Sequence, residues 1–223
     1  MSERVIQVTP GKNVGYFGGA SFGLRFYNER YSLPEWIVVS NTDIEFLHED
    51  FFTRLHTEHS TVPPAIIAPA IYSFLKNRNQ NPYLHRRPSS IRMHFYSTCF
   101  RYSLFLNVYE RLSSLKWKTC KMFKNKPAHS SSSGQSFSIY APHGSFVIFN
   151  RKYFEEGGTL DHGVFLFGEE IFVAETARRL GLKIVYDPRL VVLHREHSTT
   201  KYSKERERHI SDAAAYCANT FFR

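Results

Sequence analysis

The 223-residue chain is poor in cysteine, methionine and tryptophan, and it has no long apolar run. Its three cysteines, Cys99, Cys120 and Cys217, are an odd number, widely spaced and without a CxxC or CxxH pattern. That excludes a disulfide scaffold, argues against a structural zinc site and fits a reducing compartment. No window approaches about eighteen uninterrupted apolar residues, so no membrane-spanning helix is expected. The opening MSERVIQVTPGK lacks an apolar leader core, so no secretory signal is expected either. The expected location is cytoplasmic. At 42% hydrophobic and 16% aromatic the chain is too apolar to be disordered. Its length suits one domain over residues 1–223, ample for a real core.

What the sequence does have is positive charge in one place. Lys and Arg number 29 against 20 Asp and Glu, a net charge of +9. Ten of the basic residues fall between Leu84 and Lys126, opposed there only by Glu110, so the whole excess lies in this one segment. Bulky residues such as Phe95, Tyr96, Phe100, Tyr109, Trp117 and Phe123 are interleaved with them. Three readings stand. The segment is a basic helical excursion (84–126) packing its apolar side on its own domain, or an interfacial helix on an anionic leaflet. The third is a nucleic-acid surface with stacking rings, whose affinity would fall steeply with salt. Aromatic content alone does not favour that third reading.

Local patterns alternate between strand and helix. Val5–Val8 is a short strand candidate, and the glycine-rich run Asn13–Ala20 leads into a helix reaching about Tyr27. Trp36–Val39 and Ala65–Ala68 are continuous apolar runs of the kind expected in buried parallel strands. A helix is expected from His48 to His59. After the polar hinge His129–Gly134, strands are expected at Ser136–Tyr140 and Ser145–Asn150. Val164–Phe167 reads as a strand, Glu169–Leu180 as a helix closed by Gly181, and Lys183–Tyr186 and Leu190–His194 as two short strands. Ser203–Phe222 has Ile210, Ala213, Ala214, Cys217 and Phe221 on one helical stripe. The expected fold is α/β with a mostly parallel sheet flanked by helices.

A few residues could carry chemistry. Asp43 lies just past the end of an apolar strand, the edge where open α/β sheets bind ligands. A carboxylate there suits a divalent ion bridging phosphates, although Asn41 and Asp43 also suit a plain turn. Glu169 and Glu170 open a helix, where acids complement the macrodipole without any function. One of them could instead take a proton from an acceptor hydroxyl. His194 and His197 end a strand, and a histidine there is structural unless it meets a metal–diphosphate beside Asp43.

In order, the segments NVGYFGGASFGLRF, IVVSNTDIEF, APHGSFVIFNRKYFEEGG, FLFGEEIFVAETARRLG and IVYDPRLVVLHREHSTT resemble the family 2 glycosyltransferases. The likeness is nearest to the bacterial rhamnosyltransferase-like branch that builds surface polysaccharides, and it covers roughly residues 4 to 222. It implies a GT-A fold and transfer of a sugar from a nucleotide-sugar with inversion, using Mg²⁺ or Mn²⁺. By the same resemblance, Asn41-Thr42-Asp43 stands for the family's Asp-x-Asp-type motif, with Asp43 as metal ligand. Asn13, Gly15, Gly18 and Gly19 match the glycine-rich segment beside the donor, and Gly144-Ser145 the loop that meets the donor sugar. Glu169-Glu170 matches an acidic pair, usually Glu-Asp, whose second member, here Glu170, is the base. His194 matches a histidine near the metal and diphosphate, and Asp161 shapes the acceptor pocket.

The resemblance begins past the family's first strand and helix, which line its nucleotide-base pocket. It implies a glycan or lipid-linked acceptor and a peripheral position at the inner face of the plasma membrane, with 84–126 against the anionic surface. The alternative is a non-catalytic glycan-binding or scaffolding protein of the same fold.

Overall fold

The computed structural model describes residues 5–59, 61–102, 105, 108, 112, 134–196 and 203–223. Within them, α1 (Tyr16–Asn28), β1 (Trp36–Ser40), β2 (Ile44–Phe46) and α2 (Phe51–Glu58) lead to β3 (Ile66–Ser73), β4 (Arg78–Asn79) and α3 (Ser90–Cys99). Then follow β5 (Phe137–Ile139), β6 (Phe146–Asn150), α4 (Arg151–Glu155), α5 (Glu169–Arg179), β7 (Ile184–His194) and α6 (Lys204–Phe221). The chain is α/β, as expected. Its seven strands form one sheet in the order β1-β6-β3-β7-β2, with β4 added to β3 and β5 to β7.

The expectation of a mostly parallel sheet is corrected. Among the described strands only β3 and β7 pair in parallel, and every other pairing is antiparallel. Runs such as Trp36–Val39 and Ile66–Ile71 signal helices or loops over both faces of a strand. Burial of both faces carries no information about strand direction.

Side chains alternate between the two faces. Ile66, Ala68, Val147 and Phe149 face a layer built from Phe17 of α1, Val173 of α5 and Ala218 of α6. Ile67, Ile71, Ile148 and Val192 face the other way, under Phe51 and Leu55 of α2.

Three local expectations also change. Val5–Val8 and Val164–Phe167 are irregular backbone instead of strands. The latter is a bend that turns the chain into α5. The two short strands expected at 183–194 are one long strand, β7, whose register against β3 shifts at Pro69/Ala70. In the basic segment, α3 is capped by Ser89, whose Oγ accepts from Arg92 N at 3.3 Å, and it packs on α6. Arg87 belongs to the fold itself: its guanidinium donates to the fully buried Glu175 at 2.7 Å and stacks on Phe222. Arg111, residues 113–126, His129 to Ser133 and His197 lie outside the described residues.

The interruption in β7 is held by a buried ion network. Asp187 is fully buried, with His59 Nε2 at 2.9 Å and Arg189 Nη2 donating at 2.8 Å. Arg189 also pairs with Glu58 at the end of α2. Burial alone would raise the Asp187 pKa, but the hydrogen bonds from His59 and Arg189 outweigh it and hold the carboxyl well below its usual range. A carboxylate with a depressed folded-state pKa stabilises the protein above its unfolded pKa, and that stabilisation is lost on acidification. Asp187→Ala is therefore expected to cost about 3 kcal/mol in urea unfolding at neutral pH, because it removes the acceptor shared by the buried His59 ring and the half-buried Arg189 guanidinium. The deficit relative to the parent should shrink as pH falls below 3.8, the ordinary Asp value.

Candidate active site

β1, β3 and β7 all end at one edge of the sheet, and β6, running the other way, begins there. This edge gathers most of the residues singled out from the sequence. The β1–β6 ladder continues past Ser40, with Asn41 N donating to Ser145 O at 2.8 Å. The β2–β7 ladder sets Ile44 opposite His194, and Arg195 N donates to Asp43 O at 2.9 Å. Asp43 and His194 are thereby brought side by side, Oδ1 to Nε2 at 3.2 Å.

That pair fits a small divalent cation. Neighbouring ligands of an octahedral Mg²⁺, with bonds of about 2.1 Å, stand about 3.0 Å apart. Among the described residues no cluster of three His, Cys, Asp or Glu side chains of metal-binding type occurs. The remaining positions would fall to phosphate oxygens and water, the usual arrangement for Mg²⁺ at phosphate-handling sites.

The acid pair approaches from the other side. Phe167 and Gly168 both take left-handed backbone, at φ 69° and 80°. A non-glycine residue rarely adopts this conformation, which marks the turn as specifically held. Glu169 holds it by accepting from Phe167 N at 3.0 Å. Glu170 Oε1 accepts from Gly144 N at 3.3 Å. A Cβ on Gly144 would sit 3.1 Å from that same oxygen, so glycine gives the carboxylate its close approach to the loop.

Tyr16, at the start of α1, lies within the electrostatic reach of both groups. Its hydroxyl donates to Gly144 O at 3.0 Å, and its pKa is raised by burial first, then by Glu169, Glu170 and Asp43. Gly15 stands at φ 77°, with its Cβ position 1.8 Å from Phe165 O, so only glycine lets the α1 start meet the 163–168 loop. Asn13 Oδ1 accepts from Gly15 N at 3.1 Å, an Asx-type turn that fixes this entry. Gly18 and Gly19 lie inside α1 and not in a ligand-facing loop. Asp161 contacts the middle of α1, accepting from Ser21 Oγ at 2.6 Å and Arg25 Nη1 at 3.1 Å.

Burial, then the neighbouring Glu170, pushes Glu169 up from 4.5 to about 7. Burial raises Glu170 as well. Glu169 is only 7% exposed, whereas Glu170 keeps more contact with solvent. Of the two, Glu170 is the more exposed side chain.

Several residues of this edge carried no signal in the sequence. His143 accepts at Nδ1 from Ser145 N at 3.2 Å, with Ser145 Oγ 2.9 Å away. Burial, reinforced by His194, lowers its pKa to about 4, so it is neutral with its proton on Nε2. Gln80 and Glu196, in polar stretches that read as loop, form the far side of His194. A groove of about 570 Å³ runs beside the site between α1 and β1, lined by Tyr16, Leu24, Trp36, Val38 and Leu160. Its walls are apolar and only Tyr16 is shared with the acid cluster, so the chemistry lies outside it.

No protein-family model matches the chain, and no curated protein matches it.

A carboxyl whose pKa is raised on folding costs stability once ionised: the contribution is intact below 4.5 and lost as pH rises through about 7. Glu169→Gln is expected to raise the unfolding free energy by about 3 kcal/mol above that range and to leave it unchanged below it. Thermal melts of both proteins across this pH span provide the check.

Proposed function

We propose that the chain is an inverting glycosyltransferase of the family 2, GT-A type. It would move a sugar from a nucleotide-sugar donor to a glycan or lipid-linked acceptor in surface polysaccharide biosynthesis. One observation carries this reading: a carboxylate–histidine pair 3.2 Å apart lies at the same sheet edge as a buried acid pair, whose second member is tied to Gly144 and through it to Tyr16. Those are the elements that the chemistry requires, and the five sequence segments that resemble the family supply nearly all of them.

In this mechanism Glu170 accepts the proton of an acceptor hydroxyl as the hydroxyl oxygen attacks the anomeric carbon. Burial raises its pKa, which makes its ionised form a stronger base. The bond from the anomeric carbon to the diphosphate breaks on the opposite face, and the nucleoside diphosphate leaves with the electron pair. Mg²⁺ or Mn²⁺, held by Asp43 and His194, would supply charge stabilisation to the departing diphosphate. Glu169 keeps the Phe167–Gly168 turn in shape, and Tyr16, its hydroxyl protonated, fixes the Gly144 carbonyl.

Calorimetric titration with UDP, GDP and dTDP, with and without Mn²⁺, tests the donor site. One nucleotide is expected to bind, and only with the metal. Asp43→Ala should abolish that binding, whereas Glu170→Gln should spare it and lower turnover by roughly two orders of magnitude or more. A cooperatively melting chain that binds none of the three nucleotides turns the reading to a non-catalytic glycan-binding or scaffolding protein.

A lipid-linked acceptor would bring the chain to the cytoplasmic face of a membrane, and the basic stretch 84–126 suits an anionic leaflet. On this reading, changing Lys116, Lys118, Lys121 and Lys124 to Gln weakens sedimentation with phosphatidylserine vesicles. Unchanged sedimentation discards the membrane role.

A further inference from the structure

His194 has two ring nitrogens, and the ring can serve a cation beside Asp43 only if Nε2 presents a lone pair. Nε2 is the nitrogen 3.2 Å from Asp43 Oδ1. The other, Nδ1, lies 2.8 Å from Gln80 Oε1. An amide can be turned either way round, so this contact alone does not say which nitrogen holds the proton. The next contact orients the amide. Gln80 Nε2 donates to Glu196 Oε1 at 2.7 Å, and turning the amide over would set its carbonyl oxygen against that carboxylate. Gln80 therefore offers Nδ1 an acceptor, Asp43 offers Nε2 a competing one, and only a proton held on Nδ1 leaves the Nε2 lone pair for a cation.

Glu196 is itself fixed from three directions. Ser73 Oγ donates to Oε2 at 2.9 Å, and Lys76 Nζ and Gln80 Nε2 both donate to Oε1, at 2.9 and 2.7 Å. Its backbone is left-handed at φ 49°, a conformation that an ordinary residue keeps only when surrounding contacts demand it. The donors come from the β3–β4 hairpin, whose return is tied down by Gln80 N donating to Ile71 O at 2.8 Å. Neither Gln80 nor Glu196 is near enough in sequence to Asp43 to be read as part of a motif.

We propose that Gln80 and Glu196 are positioning residues: Glu196 orients the Gln80 amide, and Gln80 holds the proton of His194 on Nδ1 so that Nε2 faces the cation site. The proposal rests on the metal-binding role given to Asp43 and His194 above, and it adds the partners that make His194 a ligand. Such outer partners of a ligating histidine set its tautomer and orientation.

Two readouts on the full chain test it. The first is the tautomer of His194 in the metal-free protein, read from long-range ¹H–¹⁵N correlations in mildly alkaline buffer. The parent is expected to show the Nδ1–H form, and Gln80→Met, of similar length but without an acceptor, a mixture or the Nε2–H form. A parent with the proton on Nε2 overturns the proposal whatever the metal does. The second readout is affinity for Mn²⁺ alone, from the free-ion signal in electron paramagnetic resonance. Gln80→Met is expected to weaken it by roughly 10–100-fold, with His194→Ala weakening it at least as much.

If Gln80→Met leaves tautomer and affinity unchanged while His194→Ala loses the ion, the relay is wrong and the metal site stands. If the parent holds the Nδ1–H form but ignores Mn²⁺, the relay stands and the cation of the proposed function falls. Should Gln80→Met melt early, Glu196→Gln serves instead. It keeps the side-chain shape but no longer dictates the amide orientation, so a mixture of tautomers is expected and a pure Nδ1–H form overturns the role of Glu196.

Discussion

The parallel pairing of β3 with β7 is the constraint on which the rest of the edge depends. Ile66–Pro69 pair with Ile184–Asp187, and after a shift Ala70–Ser73 pair with Val191–His194. The shift falls at a proline, which has no N–H to give the ladder. There Asp187 turns inward and accepts from Arg189 N and its guanidinium, so the extra residues of β7 loop out without losing their anchor. The second half of β7 then lands in a register that sets His194 beside Ser73 on one side and Ile44 on the other. A one-residue slip would send His194 to the opposite face and dissolve the pairing with Asp43. The buried ion pairs of Asp187 and the candidate cation site are thus two ends of one strand problem.

Carboxylates converge at this edge under poor solvation. Glu169 and Glu170 stand at the start of α5, where the helix dipole favours ionised acids by about 0.3–1 kcal/mol. Holding Glu169 protonated up to about 7 corresponds to about 3 kcal/mol in the opposite sense. Desolvation and the neighbouring charge therefore win over the dipole. Burying two acids against one another costs the fold stability, and this cost is one ground for the proposed proton-transfer role.

The sequence made the helices and most strands legible because burial writes periodicity into them. The α6 stripe, with Ala213, Cys217 and Phe221 buried, and the Glu169–Leu180 helix followed from spacing and from Gly181. Strand direction was not legible, since Ile66–Ile71 and Phe146–Phe149 are apolar on both faces whichever way they run. Val164–Phe167 misled for a related reason: its apolar residues pack as a bend and not as a strand. At the site, Asp43, Gly144, Ser145, Glu169, Glu170 and His194 stood out through resemblance, and all sit at the one edge. Tyr16, His143, Gln80 and Glu196 did not, because their role is made by contacts between distant segments. Asp161 met α1 through Ser21 and Arg25, contacts that spacing could not reveal.

The division of labour within the acid pair follows from which group each carboxylate must satisfy. Glu169 is committed to the backbone: it caps the left-handed Phe167 turn and is nearly out of reach of solvent. Removing its charge relieves the fold, yet removing its acceptor oxygen would free the turn that aims α5. Glu170 holds a longer contact to Gly144 N, at 3.3 Å, and remains partly accessible. A weakly held carboxylate next to a glycine loop can exchange that contact for a substrate hydroxyl at little cost, whereas one bound into a strained turn cannot. On the proposed family reading, in which the second acid is usually Asp, the extra methylene of Glu170 extends its reach across that loop. The proposed choice of the second acid as proton acceptor rests on this difference in how the two carboxylates are held.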